Sequence, residues 1–285
     1  MERRLLEEIG HRLRAQVHAA TPVRGGDVAA SYRLELAGGG RVFAKTHHDP
    51  PPGFFTTEAA GLRWLRDAGA VRVPEVLAVS DDPAYLVLEW IEEGRRGPTT
   101  EQELGRDLAA LHRAGAPSFG REDRRTTGSR GLPNDPCDTW HEFLAQRRLL
   151  PLAALAREAG VLDAAALRGL ERIAARCEQL VGPPEPPSRL HGDLWGGNRL
   201  VDRQGRSWLI DPAAFGGHRE FDLAMMRLFG GFGADVYDAY GEAHPLGDGW
   251  EERVELHQLV PLVVHAIKFG GGYVAAAEAA IRRYA

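Results

Sequence analysis

Asp193, Asn198 and Asp211 are the residues whose types and spacing most directly imply chemistry. They stand in His191-Gly192-Asp193-Leu194-Trp195-Gly196-Gly197-Asn198 and in Ile210-Asp211-Pro212-Ala213. A carboxylate can orient an attacking hydroxyl or accept its proton, and a carboxamide oxygen with a second carboxylate offers hard ligands for Mg2+. Phosphoryl transfer from ATP asks for this set, because the protein's work there is to position the acceptor and neutralise developing charge. Each residue alone would read as a turn. In this order, with one hairpin between the halves, they read as a site: Asp193 as general base, Asn198 and Asp211 as metal ligands. His191 reads as structural support of the loop through backbone carbonyls.

A second group lies upstream. Gly25-Gly26 before a strand would let backbone amides approach phosphates. Lys45 ends the strand-like Arg41-Val42-Phe43-Ala44-Lys45 and would bridge the α- and β-phosphates, with Glu58 holding its ammonium. Leu86-Val87-Leu88-Glu89-Trp90-Ile91 reads as the strand between two lobes, whose backbone at Glu89 and Ile91 would meet adenine.

The elements that must position these groups follow from periodicity. Leu5, Leu6, Ile9, Leu13 and Val17 recur at helical spacing, so the chain is expected to open with an amphipathic helix broken by Pro22 to Asp27. Tyr32, Leu34 and Leu36 alternate as in a strand, and Gly38-Gly39-Gly40 turns the chain into the next one. Thr56 to Ala68 has a helical pattern, and Val76 to Val79 and Tyr85 to Trp90 read as strands. After Glu92 the chain turns helical, with Leu104, Leu108, Leu111 and His112 at helical spacing and further helices expected from Thr139, Asp163, Phe221, Asp235 and Trp250. Pro183 to Pro187 delivers extended chain to His191. The hairpin 198–201 and 207–210 is the only clear β-structure expected there. The fold class is therefore α+β: residues 1–92 form a small antiparallel β N-lobe carrying the nucleotide-binding sheet and one regulatory-type helix. Residues 93–285 form a larger, mainly helical C-lobe with the catalytic loop and acceptor site, and the break near Glu92 is a hinge.

The chain has 285 residues, 44% hydrophobic and 26% charged, as in an ordinary globular protein. A formal net charge of −5 argues against a nucleic-acid binder. No apolar run reaches the length of a membrane span, and the acidic N-terminus does not resemble a secretory signal, so a cytoplasmic location is expected. Cys137 and Cys177 lack metal-type pairing, and one disulfide between them stays open at this stage. The protein-kinase control elements are missing: Gly192 stands in place of the Arg of His-Arg-Asp, Pro212-Ala213 in place of Phe-Gly, and there is no Ala-Pro-Glu. A small acceptor, or a small group on a larger one, fits better.

His191 to Asn198, Leu209 to Ala213 and Gly217-His218-Arg219-Glu220-Phe221-Asp222-Leu223-Ala224-Met225 resemble the fructosamine kinases (ketosamine 3-kinases). Pro22 to Asp27, Val42 to Lys45, Glu58 to Leu62 and Leu228-Phe229-Gly230-Gly231-Phe232 extend the likeness over nearly the whole chain. The His-Gly-Asp and Asp-Pro pair is shared with aminoglycoside, choline and homoserine kinases; Trp195, the His218 string and Phe-Gly-Gly-Phe point to the narrower family. The resemblance implies a protein-kinase-like fold and ATP- and Mg2+-dependent phosphorylation of the sugar 3-hydroxyl of a ketoamine, small or protein-bound, leading to deglycation. It implies further that Asp222 braces the catalytic loop, that Trp195 walls the sugar, and that His218, Arg219 and Glu220 lie near the acceptor. Ala29-Ala30 departs from the polar residues usual in the phosphate loop, and the segment 121–130 is more charged than in the family, which predicts a solvated, mobile loop, with a contact for an acidic substrate as the alternative. The competing readings are a small-alcohol kinase of the aminoglycoside or choline type and an inactive nucleotide-binding module. A monomer is the default, since one chain carries every group the chemistry needs.

Overall fold

The computed structural model describes residues 1–23, 29–122 and 131–285. Gly25 and Gly26, expected at the phosphates, and most of the charged segment 121–130 lie outside the described residues.

Helix α1 (Arg3–Leu13) ends where Arg14 takes the left-handed conformation at φ 53° and caps the carbonyls of Gly10 and His11. The helix expected to reach Val17 therefore stops at Leu13. Val17 instead opens strand β1 (Val17–Pro22), which pairs antiparallel with β2 (Ala30–Leu36). Val17 keeps helical spacing from Leu13, but a partner strand supplies its backbone bonds. Pro22 is tolerated because β1 is an edge.

A turn through Gly38 and Gly39, both at positive φ, leads into β3 (Arg41–Thr46). Helix α2 (Phe54–Asp67), β4 (Val76–Asp81) and β5 (Ala84–Glu89) complete the lobe, with sheet order β1-β2-β3-β5-β4 and every neighbour antiparallel. This adds one strand to the four expected. The period-2 alternation of β3 decides where its lysine goes. Val42 and Ala44 pack with Ile9 and Leu34 beneath α1, while Phe43 packs with the cluster that contains α2. Lys45 shares the parity of Phe43, so it faces α2.

The larger lobe begins with α3 (Thr100–Arg113). Thr139 and Asp163, expected as helix starts, are N-caps whose side chains accept the backbone N–H of Glu142 and Ala166. One runs into α4 (Trp140–Phe143), a π-helical turn over Leu144–Leu149 and α5 (Leu150–Glu158); the other opens α6 (Ala164–Ala175), followed by α7 (Cys177–Leu180). Pro151 has no N–H to give the Arg147 carbonyl, and the Arg148 guanidinium donates to it instead at 2.9 Å. Then come β6 (Ser188–Leu190), β7 (Arg199–Val201), β8 (Ser207–Leu209) and β9 (Phe215–Gly217). Helices α8 (Glu220–Phe229), α9 (Ala234–Ala243), α10 (Trp250–Phe269) and α11 (Gly272–Tyr284) close the chain.

Strands β7 and β8 form the expected hairpin, whose turn is held by Asp202 accepting from Gln204 N, Arg206 N, Arg206 Nε and Trp208 Nε1. The β6–β9 pair was not anticipated. It places Leu190 opposite Phe215, so the chain entering His191 runs beside the chain leaving Ala214, and both halves of the motif are brought to one place. Helix α11 was not anticipated either; its stripe of Ala277, Ala280 and Ile281 is buried against α10 and α6.

The apolar core that joins the lobes contains Leu62 and Leu65 of α2, Leu86 and Leu88 of β5, Leu104 and Leu108 of α3, and Leu194, Leu209 and Leu223. Chain continuity after Glu92 is thus reinforced by a shared core, and Gly94 N is bonded to Val201 O. Cys137 and Cys177 are free thiols. Arg121, expected on a solvated loop, is buried, with its guanidinium over the Trp64 ring. No helix among the described residues is long and apolar enough to cross a membrane.

Candidate active site

The loop that carries Asp193 is built on a buried carboxylate. Asp222, in the first turn of α8, accepts the N–H of His191 through Oδ2 at 2.7 Å and the N–H of Gly192 through Oδ1 at 2.9 Å. The carboxylate is fully buried, and the aligned N–H groups of the helix start favour a negative charge there. His112 of α3 stands behind it, with Nε2 3.4 Å from Asp222 Oδ2 and Nδ1 2.8 Å from the Tyr240 hydroxyl.

His191 is buried and locks the two halves of the motif together. Its Nε2 lies 2.9 Å from Ile210 O, and its Nδ1 3.3 Å from the N–H of Asp193. A carbonyl needs a donor and an N–H needs an acceptor, so these contacts define the tautomer with the proton on Nε2. Burial pushes the imidazole pKa down, which keeps it neutral. Gly192 adopts φ +79°, and a Cβ there would sit 2.2 Å from Ala213 O. No side chain fits, which accounts for glycine where protein kinases carry arginine.

Asp193 is half-buried at the end of this loop. Removal from water pushes its carboxyl pKa up to about 6, with the nearby Asp222 charge acting in the same direction; the Asn198 hydrogen bond and the Lys268 charge oppose the shift. Asn198 Nδ2 donates both to Asp193 O, at 2.8 Å, and to Asp193 Oδ2, at 3.0 Å. Those two bonds commit the amide nitrogen, so a hard cation would be met by Oδ1 of Asn198. The backbone of Ile210 donates to Asn198 O at 3.0 Å, so Asp211 follows directly from a residue tied to Asn198. Asp211 has φ 55°, one of two non-glycine residues at positive φ among the described residues. Such backbone persists only where the surroundings over-determine it, as happens at functional sites.

Lys45 completes the centre. Its Nζ donates to Glu58 Oε1 at 2.9 Å and also contacts Asp211 Oδ1, so the ammonium and the two carboxylates form one cluster. Helix α2 lies against the Asp211 segment at Gly61, whose added Cβ would stand 3.4 Å from Pro212 Cγ. Glu89 ends β5 half-buried, and Ile91 is buried in the extended segment between the lobes.

The Phe-Gly-Gly-Phe string has a local reason. Gly230 caps α8 at φ 69°, and Gly231 approaches Gly196 so closely that a Cβ on it would lie 2.6 Å from Gly196 Cα. Gly196 N donates to Gly230 O at 3.1 Å, and Arg96 donates to Gly231 O at 2.7 Å. This segment buttresses the loop that carries Asp193. The Trp195 indole is 40% exposed, lies over Gly197 and meets the Phe229 ring edge-on at 6.2 Å.

His218, Arg219 and Glu220 do not face an open acceptor surface. All three are buried. Arg219 is bidentate to Glu185, at 2.6 and 2.7 Å, and donates to the carbonyls of His244 and Pro245. Glu220 is bidentate to Arg253 of α10, at 2.9 and 2.6 Å, with His257 Nε2 3.3 Å away. Burial would raise the Glu220 carboxyl pKa, yet His257 and Arg253 outweigh it and hold the value down at about 2. The His218 imidazole is pushed down to about 4 by burial and by His257. The string pins the start of α8, and therefore Asp222, to α10 and to the 183–187 segment. Sequence reasoning gave no role to His112, Glu185 or Arg253; a polar residue on an otherwise apolar helical stripe, as at His112, was the available signal.

Compared with known proteins, residues 2–285 match the fructosamine kinase family model. A probable ketoamine kinase of Enterococcus faecium is 37% identical over 255 residues, 88% of this chain and 90% of that protein. The chloroplastic protein-ribulosamine 3-kinase of Arabidopsis thaliana is 34% identical over 267 residues, 90% of this chain and 79% of that protein. The crystal structure of a candidate fructosamine-3-kinase from Thermobifida fusca superposes with a TM-score of 0.90 at 38% identity, over 98% of this chain and 97% of the other. The architecture is the two-lobed protein-kinase-like fold.

Proposed function

The chain belongs to the fructosamine kinase family, and from that premise we propose that it transfers the γ-phosphoryl group of ATP to the 3-hydroxyl of the sugar part of a ketoamine. The 3-phosphate is a good leaving group, so the product decomposes and the amine is set free.

The observation that carries this reading is the presence of two fixed units, Asp193 with Asn198 and Lys45 with Glu58 and Asp211, tied together by the Ile210 N–H on Asn198 O. Asp193 orients the sugar hydroxyl and takes its proton as the oxygen attacks phosphorus; a carboxyl raised to about 6 remains ionised near neutrality and is a better proton acceptor than an ordinary carboxylate. Lys45, turned by Glu58, meets the charge of the α- and β-phosphates. Adenine is assigned to the backbone between Glu89 and Ile91, the Glu89 N–H itself being given to Glu75 O at 2.9 Å. The donor set of Asn198 Oδ1 and the Asp211 carboxylate is hard oxygen and fits Mg2+. When bound, that ion would supply positive charge against the phosphates of ATP, held by Asn198 and Asp211. Trp195 offers the sugar an apolar face beside Asp193.

The test is a screen with Mg-ATP against ketoamines, aminoglycosides and choline, with products read by mass. Phosphate is expected on the ketoamines alone. Turnover of choline or an aminoglycoside with none of any ketoamine would remove this reading.

A further inference from the structure

Helix α2 carries Glu58 in its first half and ends in contacts that come from the larger lobe. Ala68 N donates to Leu65 O at 3.3 Å, which tightens the last turn, and the Trp64 carbonyl takes a bond from outside the helix: Arg189 Nη1 donates to it at 2.5 Å. A cation there also meets the negative end of the helix dipole. The Arg189 guanidinium carbon lies 4.7 Å from the Trp64 ring centroid and that of Arg121 5.0 Å from it, so one indole bears two guanidinium groups. Arg189 Nε donates further to Gly115 O at 3.3 Å, and Arg121 Nη1 to Ala214 O at 3.3 Å. Burial pushes the Arg189 pKa down; Asp67, in the last turn of α2, supports the cation, and the Arg121 charge opposes it.

Both arginines belong to the backbone that delivers the Asp193 loop. Arg189 is the middle residue of β6, opposite Gly216 of β9 and two residues before His191, and Gly120, next to Arg121, bridges to the same Gly216. Glu58 stands six residues before Trp64, roughly 9 Å along the helix axis at 1.5 Å per residue. Phe55, Ala59, Leu62 and Leu65 are fully buried and keep α2 folded, but apolar contact is non-directional and permits a helix to slide or turn. The bond from Arg189 is directional and fixes where the helix stops. Lys45 depends on that setting, because Glu58 Oε1 is its orienting acceptor at 2.9 Å. Resting on the function proposed above, we propose that Arg189 is a positioning residue for phosphoryl transfer: through Trp64 it ties α2 to β6, and so sets Glu58 and Lys45 in register with the loop that carries Asp193. Helix α2, expected from the sequence as a regulatory-type helix, is thereby held in its working position by the chain's own second lobe.

The test is a double-mutant cycle on Mg-ATP affinity, measured by calorimetric titration without acceptor in the unaltered enzyme, Arg189→Met, Glu58→Gln and the double variant. Arg189→Met should weaken binding by about tenfold, the scale of one lost hydrogen bond to a charged group. In the Glu58→Gln background the same change should have little further effect, because the carboxylate it positions is gone. Arg189→Lys keeps a cation within reach of Trp64 O and should restore part of the affinity. Should Arg189→Met not fold, the cycle is run with Arg189→Lys, whose smaller effect must likewise vanish beside Glu58→Gln. Equal losses in the two backgrounds would mark an effect that does not pass through Glu58 and would overturn the tie. So would unchanged affinity in Arg189→Met, or a fall in kcat alone, which would put the action of Arg189 on the Asp193 loop. Failure of the unaltered chain to bind Mg-ATP would overturn the functional reading and the tie with it. Mg-ATP binding without turnover of any ketoamine would overturn the acceptor alone.

Discussion

Asp222→Asn is the most informative substitution. The Asp222 carboxylate uses its two oxygens on two different backbone donors, His191 N and Gly192 N, and is fully buried. A carboxamide has the same shape but one oxygen, so one of the two N–H groups must face an NH2 and lose its acceptor. An orphaned buried donor costs about 1–3 kcal/mol, and loss of the charge from the surviving bond roughly halves its strength. The expected destabilisation is about 2–4 kcal/mol, measured as a shift of the urea midpoint at neutral pH. Asp222→Ala orphans both donors and should cost about 3–5 kcal/mol. The catalytic loop is what these bonds hold, and a displacement on the order of 1 Å of a reacting group can cost about 10²-fold in rate. Under conditions where the Asn variant is still folded, kcat should fall by that order while the KM for ATP changes little, because Lys45 and Glu58 are held by other elements. A variant with the unaltered midpoint and the unaltered kcat would refute the brace. Lost stability with unchanged kcat would refute its link to Asp193.

Asp193→Asn should lower kcat by roughly 10²–10⁴ with ATP binding retained; turnover like that of the unaltered enzyme would sink the base assignment. Asp211→Ala should weaken Mg-ATP binding, checked by calorimetric titration with and without Mg2+, and unchanged affinity in both arms would argue against its ligand role. Gly192→Ala should destabilise by about 1–3 kcal/mol and depress activity, because its Cβ would meet Ala213 O at 2.2 Å and φ is +79°; an unaltered melting temperature would contradict the geometry. Glu220 gives a pH signature. Its carboxyl is held at about 2 against an ordinary 4.5, so the ionised form stabilises the fold. That contribution is complete above about 4.5 and is lost as pH falls toward about 2. In melts taken between these limits Glu220→Gln should lose less stability with acid than the unaltered protein does; parallel curves would discount the Arg253 pairing.

The parts of this arrangement that could be read from the chain are those set by short-range spacing. Asp193 and Asn198 are five positions apart on one loop, and Asp211 follows one hairpin, so local turns and the β7–β8 ladder already bring them near one another before the β6–β9 pair fixes the arrangement. Lys45 and Glu58 could be paired because alternation along β3 sends Lys45 to the α2 side, and α2 is the next element. Thr139 and Asp163 marked helix starts because a cap is chemistry between neighbours. These are the features that need no knowledge of how distant segments pack.

What failed to be legible has the opposite character. Val17 satisfies a helical pattern and a strand pattern equally well, and the choice was made by β2, whose Leu36 lies opposite it. The His218-Arg219-Glu220 string has the polarity of a surface, and only Glu185 and Arg253, 34 and 33 residues away, turn it into a buried brace. The bond from Arg189 to Trp64 O joins residues 125 positions apart and has no signature in any one segment. By itself, then, the sequence determined the chemistry of this protein, since reactive groups must be of given types at given local spacings. The tertiary structure alone decided which polar residues are brace and which face the cleft, because burial and charge pairing depend on contacts between segments whose separation along the chain carries no information about their distance in space.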